Sequence, residues 1–219
     1  MQNKYFGDKH DFYKYFLLNH ISKYYSLGIH WCLVPDENSN DGNKIITNKE
    51  KDLDANLFCL LKESGNKDIK KIKPYFSNKI KYFDTVLQDY FLNSIYQKDA
   101  FDKLSKQDII FFDPDNGLEV SSTNNKNKFK YLSYDVVGKF WENGNSMIIY
   151  QHLGRDRMSL EDKIGKITKL LKCNKIGNIN IVRKENVDYI FIIQKKHYLL
   201  HDIIADFVNK NNGYKTIEL

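Results

Sequence analysis

Asp113, Asp115 and Glu119 place three carboxylates within seven residues, in Asp113-Pro114-Asp115-Asn116-Gly117-Leu118-Glu119, directly after the apolar run Ile109-Ile110-Phe111-Phe112. Pro114 fixes a rigid turn there. Such a turn presents Asp113 and Asp115 to a cleft, where they can orient an amino group, act as general base or hold Mg²⁺ or Mn²⁺. Asn116 adds an amide that both donates and accepts. The plain alternative is a tight turn, because Asp, Pro, Asn and Gly form turns by intrinsic geometry. A second group, Tyr150-Gln151-His152-Leu153-Gly154-Arg155-Asp156-Arg157, follows the next apolar run. His152 suits general acid–base work or metal ligation, and Arg155 and Arg157 suit bidentate binding of a substrate phosphate. The alternative there is a strand end followed by a solvated helix start.

Other candidates flank these two. Tyr5 to Lys14 mixes aromatics with Gly7, Asp8, Lys9 and His10, and forms either a cofactor clamp or the packing of a first helix. Asp36, Glu37 and Asp41 follow an early strand, where acids bind cofactor hydroxyls in nucleotide-binding folds. Asp84, after a short strand, is a candidate for an adenine or ribose contact. Lys67, Lys70, Lys71, Lys73, Lys79 and Lys81 form the densest basic run, with Tyr75 and Phe76 among them. Lysine runs are usually solvated surface; beside a nucleic acid, the two aromatics would suit a strand-binding groove.

The elements that position these residues follow from periodicity. A first helix is expected over Asp11 to Tyr25, ended by Gly28. Then come a strand over Ile29 to Val34, a helix over Asp52 to Ser64, a strand over Ile80 to Phe83 and a helix from Val86 to Leu104. Strands over Asp108 to Asp113 and Ser146 to Gln151 bracket a loop at Ser121 to Lys128 and a helix over Tyr131 to Trp141. A helix over Met158 to Leu171 follows. Ile179 to Arg183 and Val187 to Gln194 must form an antiparallel hairpin, since a parallel pair needs a crossover of about a dozen residues. A helix over Tyr198 to Asn209 closes the chain. This alternation predicts one α/β domain over residues 1–219, a mostly parallel Rossmann-like sheet with helices on both faces and a C-terminal antiparallel hairpin. In such sheets, ligands bind beyond the carboxyl ends of the strands.

Composition narrows the class. Hydrophobic residues at 42% and aromatics at 14% exclude a disordered chain. No apolar run approaches the ~20 residues that span a bilayer, and the polar, aromatic start does not read as a signal peptide. Cys32, Cys59 and Cys173 match no metal-ligand spacing and read as buried free thiols, pointing to a reducing, cytoplasmic setting. The net charge of +6 permits a polyanionic partner without demanding one. Only Arg155, Arg157 and Arg183 are arginine among 34 basic residues, so two of the three fall within one short loop.

The strand plan, with its closing hairpin, resembles the Rossmann-like fold of class I S-adenosylmethionine-dependent methyltransferases, most nearly the amino-methyltransferases of nucleic acids. Lys4-Tyr5-Phe6-Gly7-Asp8-Lys9 is similar to the aromatic-glycine-lysine segment that touches the cofactor in that family. Val34-Pro35-Asp36 and its loop stand where the first strand meets the cofactor, and Asp113-Pro114-Asp115-Asn116 stands where the family has Asp-Pro-Pro-Tyr. Tyr5-Phe6-Gly7-Asp8, Asp113 to Glu119 and Tyr150-Gln151-His152 also look like the marks of a bacterial family carrying these three motifs. The resemblance implies S-adenosylmethionine bound by Tyr5, Gly7, Asp8, Lys9, Asp36 and Asp84. Asp113, Asp115, Asn116 and His152 would then face an acceptor on a nucleic acid or nucleotide. Two other readings stay open. The extra carboxylates, and the lack of Gly-x-Gly after the first strand, fit a metal-dependent nuclease or phosphodiesterase using Asp113, Asp115, Glu119 and His152 around Mg²⁺ or Mn²⁺. A non-catalytic Rossmann-like module that senses a nucleotide or binds a protein is the third.

Overall fold

Three short apolar runs have no polar face to offer water, so each becomes a strand buried on both sides. They are β1 (Leu27–His30), β3 (Ile109–Phe112) and β4 (Ser146–His152); β2 (Ile80–Phe83) forms the outer strand beside β1. The computed structural model describes residues 1–37, 45–63, 67–76, 79–88, 93–123, 127–153 and 158–218. One seven-stranded sheet runs in the order β2-β1-β3-β4-β6-β5-β7. The first four strands are parallel. β6 (Val187–Ile192) then pairs antiparallel with β4, β5 (Ile179–Lys184) with β6, and β7 (Tyr214–Thr216) with β5. This is the expected Rossmann-like α/β architecture with a C-terminal antiparallel hairpin. β3 and β4 lie side by side and run the same way, Ile109 opposite Ser146 and Phe112 opposite Ile149.

The alternation of side chains along each strand divides the core in two. Ile109 and Phe111 pack under α1 (Lys9–Ser22), α3 (Ala55–Glu63) and α8 (Leu200–Lys210). Ile110 and Phe112 pack on the other face under α4 (Asn93–Leu104), α5 (Tyr134–Glu142) and α6 (Leu160–Leu171). Among the described residues, no helix is long and apolar enough to cross a membrane.

Several boundaries differ from expectation, each for a local reason. Gly28 does not end the first helix; it lies inside β1, where a Cβ would sit 2.9 Å from Ile110 Cδ1 and 3.2 Å from Leu104 Cβ. β1 stops at His30 rather than Val34, because Cys32 adopts φ 49°, which breaks the ladder. The expected helix over Asp52 to Ser64 is two helices. α2 (Asn48–Leu53) opens with a Thr47–Glu50 capping box, and extended Asp54 breaks the chain before α3. Asp54 then accepts from the Leu57 amide, and Leu53 is left exposed. α4 begins at Asn93, not Val86, because the Leu87 amide is drawn off to the Leu33 carbonyl. α5 starts only where Ser133 caps it through the Val136 amide.

A short α7 (Lys175–Asn178) precedes the hairpin, and the chain continues past α8 as β7 after a turn at Gly213, φ 84°. The three cysteines are free as expected, but they are not all buried. Cys59 is exposed on the side of α3 away from Leu57, Phe58 and Leu61, and the other two are half-buried. Residues 124–126 of the expected surface loop lie outside the described residues.

Candidate functional site

Each parallel strand points its carboxyl end at the same rim, so the loops after β3 and β4 meet there. Between them is a cleft of about 460 Å³, a volume within the range of small-molecule sites. Asp113, Asp115 and Asn116 form one wall, and Tyr150 and His152 another. Met1, Tyr5 and the first turns of α1 close over them, with Lys130, Tyr131 and Asn186 at the edge.

The Asp-Pro-Asp-Asn turn is held at both ends. The Asp113 amide extends the ladder to the His30 carbonyl, and the Asn116 amide donates to Lys130 O. Asp113 is buried, and its Oδ2 accepts from Lys14 Nζ at 2.7 Å. The same ammonium lies 2.5 Å from Asp11 Oδ1. Burial alone would lower the Lys14 pKa, but Asp11 and Asp113 outweigh it and hold the ammonium charged. Asp115 accepts from Gln2 Nε2 at 2.6 Å and lies 3.4 Å from the Met1 amino group. Past the turn, Gly117 takes φ 80°, and Gln151 reaches over it to accept from the Leu118 amide at 2.9 Å.

His152 ends β4, its ring 6.2 Å from that of His10 in an edge-on arrangement. Asp8 caps α1 by accepting from the Asp11 amide. Burial, then the charge of Asp11, push the Asp8 carboxyl up to about 7 against the hydrogen bonds that favour its ionised form. Asp11 is raised by burial, with Lys14 opposing. The Tyr150 hydroxyl is raised by burial, with the neighbouring carboxylates adding to it.

The Asp8 shift has a measurable consequence. Between pH 4 and 7 the folded chain holds a proton at Asp8 that the unfolded chain, at the usual 3.8, has lost. Stability from this residue therefore falls as pH rises through that window. In urea denaturation, Asp8→Asn is expected to gain on the wild type steadily from pH 4 to 7. A difference that stays flat would contradict the shift.

Of the residues singled out by sequence, the cleft brings together Tyr5, Asp8, Asp113, Asp115, Asn116 and His152. Gly7 stands beside them, and its amide donates to Asp11 Oδ2 at 3.0 Å. Lys9 turns to Glu185 at the hairpin tip, and Asp36 accepts from the Lys4 amide, its neighbour Glu37 lining the cleft instead. Asp84 sits apart after β2, 2.6 Å from Lys73; burial would raise its carboxyl, but Lys73, with Lys103 and Lys70, holds it below the usual value. Glu119 does not join the others either, because its Oε1 accepts from the Tyr134 amide at the start of α5. Arg155 and Arg157, with Asp41, lie outside the described residues. Tyr75 and Phe76 are not an open groove: Tyr75 donates to Asp54, and Phe76 is buried against Tyr15.

Asp11 and Lys14 were missed as site residues. Their signal was present: Lys14 shares a helical stripe with Leu18 and Ile21, where an unpaired charge has no place.

The cleft is acid-rich although the chain is basic. Asp8, Asp11, Glu37, Asp113 and Asp115 line it against Lys14, Lys130 and the Met1 amino group, with Lys130 paired to Glu37 and Met1 to Asp115. Among the described residues, no three His, Cys, Asp or Glu side chains gather so as to hold a metal ion. No family model, curated protein or solved structure matches this chain.

Proposed function

We propose that the cleft is the active site of a methyltransferase-like enzyme that uses S-adenosylmethionine and acts on an amino group of a nucleotide or nucleic acid. The observation that carries this reading is the course of Asp113-Pro114-Asp115-Asn116, which leaves the end of β3 directly into a cleft of ligand size beside His152. The lining fits the cofactor's chemistry. Asp115 and Glu37 complement its sulfonium and ammonium charges, and Tyr5 and Tyr131 offer faces for stacking and cation–π contact. Once bound, the cofactor supplies an electrophilic methyl group, and the nitrogen that accepts it must lose a proton. In this reading Asn116 and Asp115 hold the acceptor amine by its hydrogens. Their negative surroundings favour the base of such a substrate over its phosphates. The metal-dependent alternative is not favoured, because Asp113 is tied to Lys14 and Glu119 to the Tyr134 amide.

Calorimetry with S-adenosylmethionine and S-adenosylhomocysteine tests the reading. Binding that weakens at least tenfold in Asp115→Ala is expected, about 1.4 kcal/mol. No heat with either compound would end it.

A further inference from the structure

We propose that the Gln2 carboxamide is a built-in occupant of the cleft wall. It holds the place of a ligand that carries an N–H donor and an acceptor on one carbon, and such a ligand enters by displacing it. The exchange stands on geometry; that the ligand is the methyl acceptor rests on the methyl-transfer reading. Gln2 is fully buried. Its Nε2 donates to Asp115 Oδ2 at 2.6 Å, and its Oε1 accepts from the Glu37 amide at 2.9 Å. A carboxylate only accepts and a main-chain N–H only donates, so the carboxamide has one orientation here. Asp115 and Glu37 both line the cleft. Asp115 Oδ1 lies 3.4 Å from the Met1 amino group, so the same segment engages both oxygens of the carboxylate. A substrate amine therefore reaches Asp115 only where this segment yields.

The two partners define what replaces it. An acceptor beside a donor complements the Watson–Crick edge of adenine or of cytosine, in which an amino group and a ring nitrogen with a lone pair share one carbon. The amino group then donates to Asp115 as Nε2 does, and the ring nitrogen accepts from the Glu37 amide as Oε1 does. The move that admits it is local. Met1 is tied by its amino group to the Cys32 carbonyl at 3.1 Å and by its carbonyl to the Val34 amide at 3.0 Å. Beyond Gln2 the segment is anchored separately. The Ile69 amide donates to Asn3 Oδ1, the Lys4 amide donates to Asp36, and Phe6 is buried. Met1 and Gln2 thus lift without the rest of the segment leaving.

Two measurements decide this. The first is NMR of the wild-type protein labelled on its glutamine side-chain amides and titrated with adenosine and with cytidine. The Gln2 amide is expected to shift, and to exchange its hydrogens with solvent about tenfold or more faster once the nucleoside is bound. Adenosine dimethylated on its amino group lacks the donor; it should bind about tenfold or more weaker and leave Gln2 in place. The second is calorimetry with the same nucleosides. Gln2→Ala empties the place, so it should bind adenosine or cytidine about tenfold more tightly than the wild type. Nucleoside bound with the Gln2 amide undisturbed overturns the proposal. So does binding that is unchanged or weaker in folded Gln2→Ala, or no nucleoside binding by any folded form. A protein that exchanges Gln2 for a nucleoside yet binds no S-adenosylmethionine keeps this exchange and loses the methyltransferase reading. One that binds S-adenosylmethionine while nucleosides leave Gln2 unmoved loses the exchange alone.

Discussion

Lys14→Met is expected to cost about 3–5 kcal/mol of folding stability at neutral pH, the loss that follows removal of one partner from a buried ion pair. Methionine fills nearly the same space, so packing changes little. What changes is that Asp11 and Asp113 keep their burial and lose the ammonium that lies within 2.7 Å of both. The two carboxylates, nearly buried in the wall of the cleft, are then left close together without a counterion. The deficit should therefore shrink as pH falls and the Asp11 carboxyl, already raised by burial, takes up a proton. Urea unfolding followed through buried Trp31 measures it. Adding Asp113→Asn to Lys14→Met should recover part of the loss, so the double variant should be more stable than the sum of the single changes implies. A single variant within about 1 kcal/mol of the wild type, at the surface-pair level, would mean that Lys14 is not the counterion at the site.

Gly117→Ala is expected to cost on the order of 3 kcal/mol, from two independent sources. Gly117 lies at φ 80°, where an L side chain brings strain of about 1–2 kcal/mol. Its Cβ would also fall 2.3 Å from Gln151 Oε1 and 2.5 Å from Gln151 Cδ, so Gln151 must leave. The Leu118 amide then loses its acceptor, which costs about 1–3 kcal/mol for a buried donor. This contact joins the loop after β3 to the end of β4, so the site should loosen along with the fold. In Gly117→Ala/Gln151→Ala the clash disappears, and the combined cost should be well below the sum of the single ones. Strict additivity would show that the two residues do not meet.

Much of the site was legible because its parts sit at strand ends, and strand ends are marked by proline and by breaks in apolar runs. Ile109-Ile110-Phe111-Phe112 before Pro114, and Ser146 to Gln151 before His152, fixed the two neighbouring loops once the strands between helices were read as parallel. The hairpin followed from a connection too short for a crossover. What was not legible depended on contacts distant in sequence. Nothing local marks Gln151 as the residue that covers Gly117, 34 positions earlier. Asp84 stands at the carboxyl end of a strand as Asp113 does, yet strand order puts β2 at the sheet edge, and Lys73 and Lys103 claim it. Glu119 shows the same limit, since its capping of α5 depends on where the chain returns. The buried charge on α1 was visible as a lysine in an apolar stripe, but naming its partner required the packing of α1 over β3.

The most direct test is a crystal structure of the protein soaked with S-adenosylhomocysteine. The ligand is expected in the cleft between Tyr5, Asp8 and the Asp115–Asn116 turn, within reach of His152. A ligand bound instead beside Asp84 at the β2 edge, or found only where Asp113 and His152 do not face it, would contradict the assignment of the cleft as the functional centre.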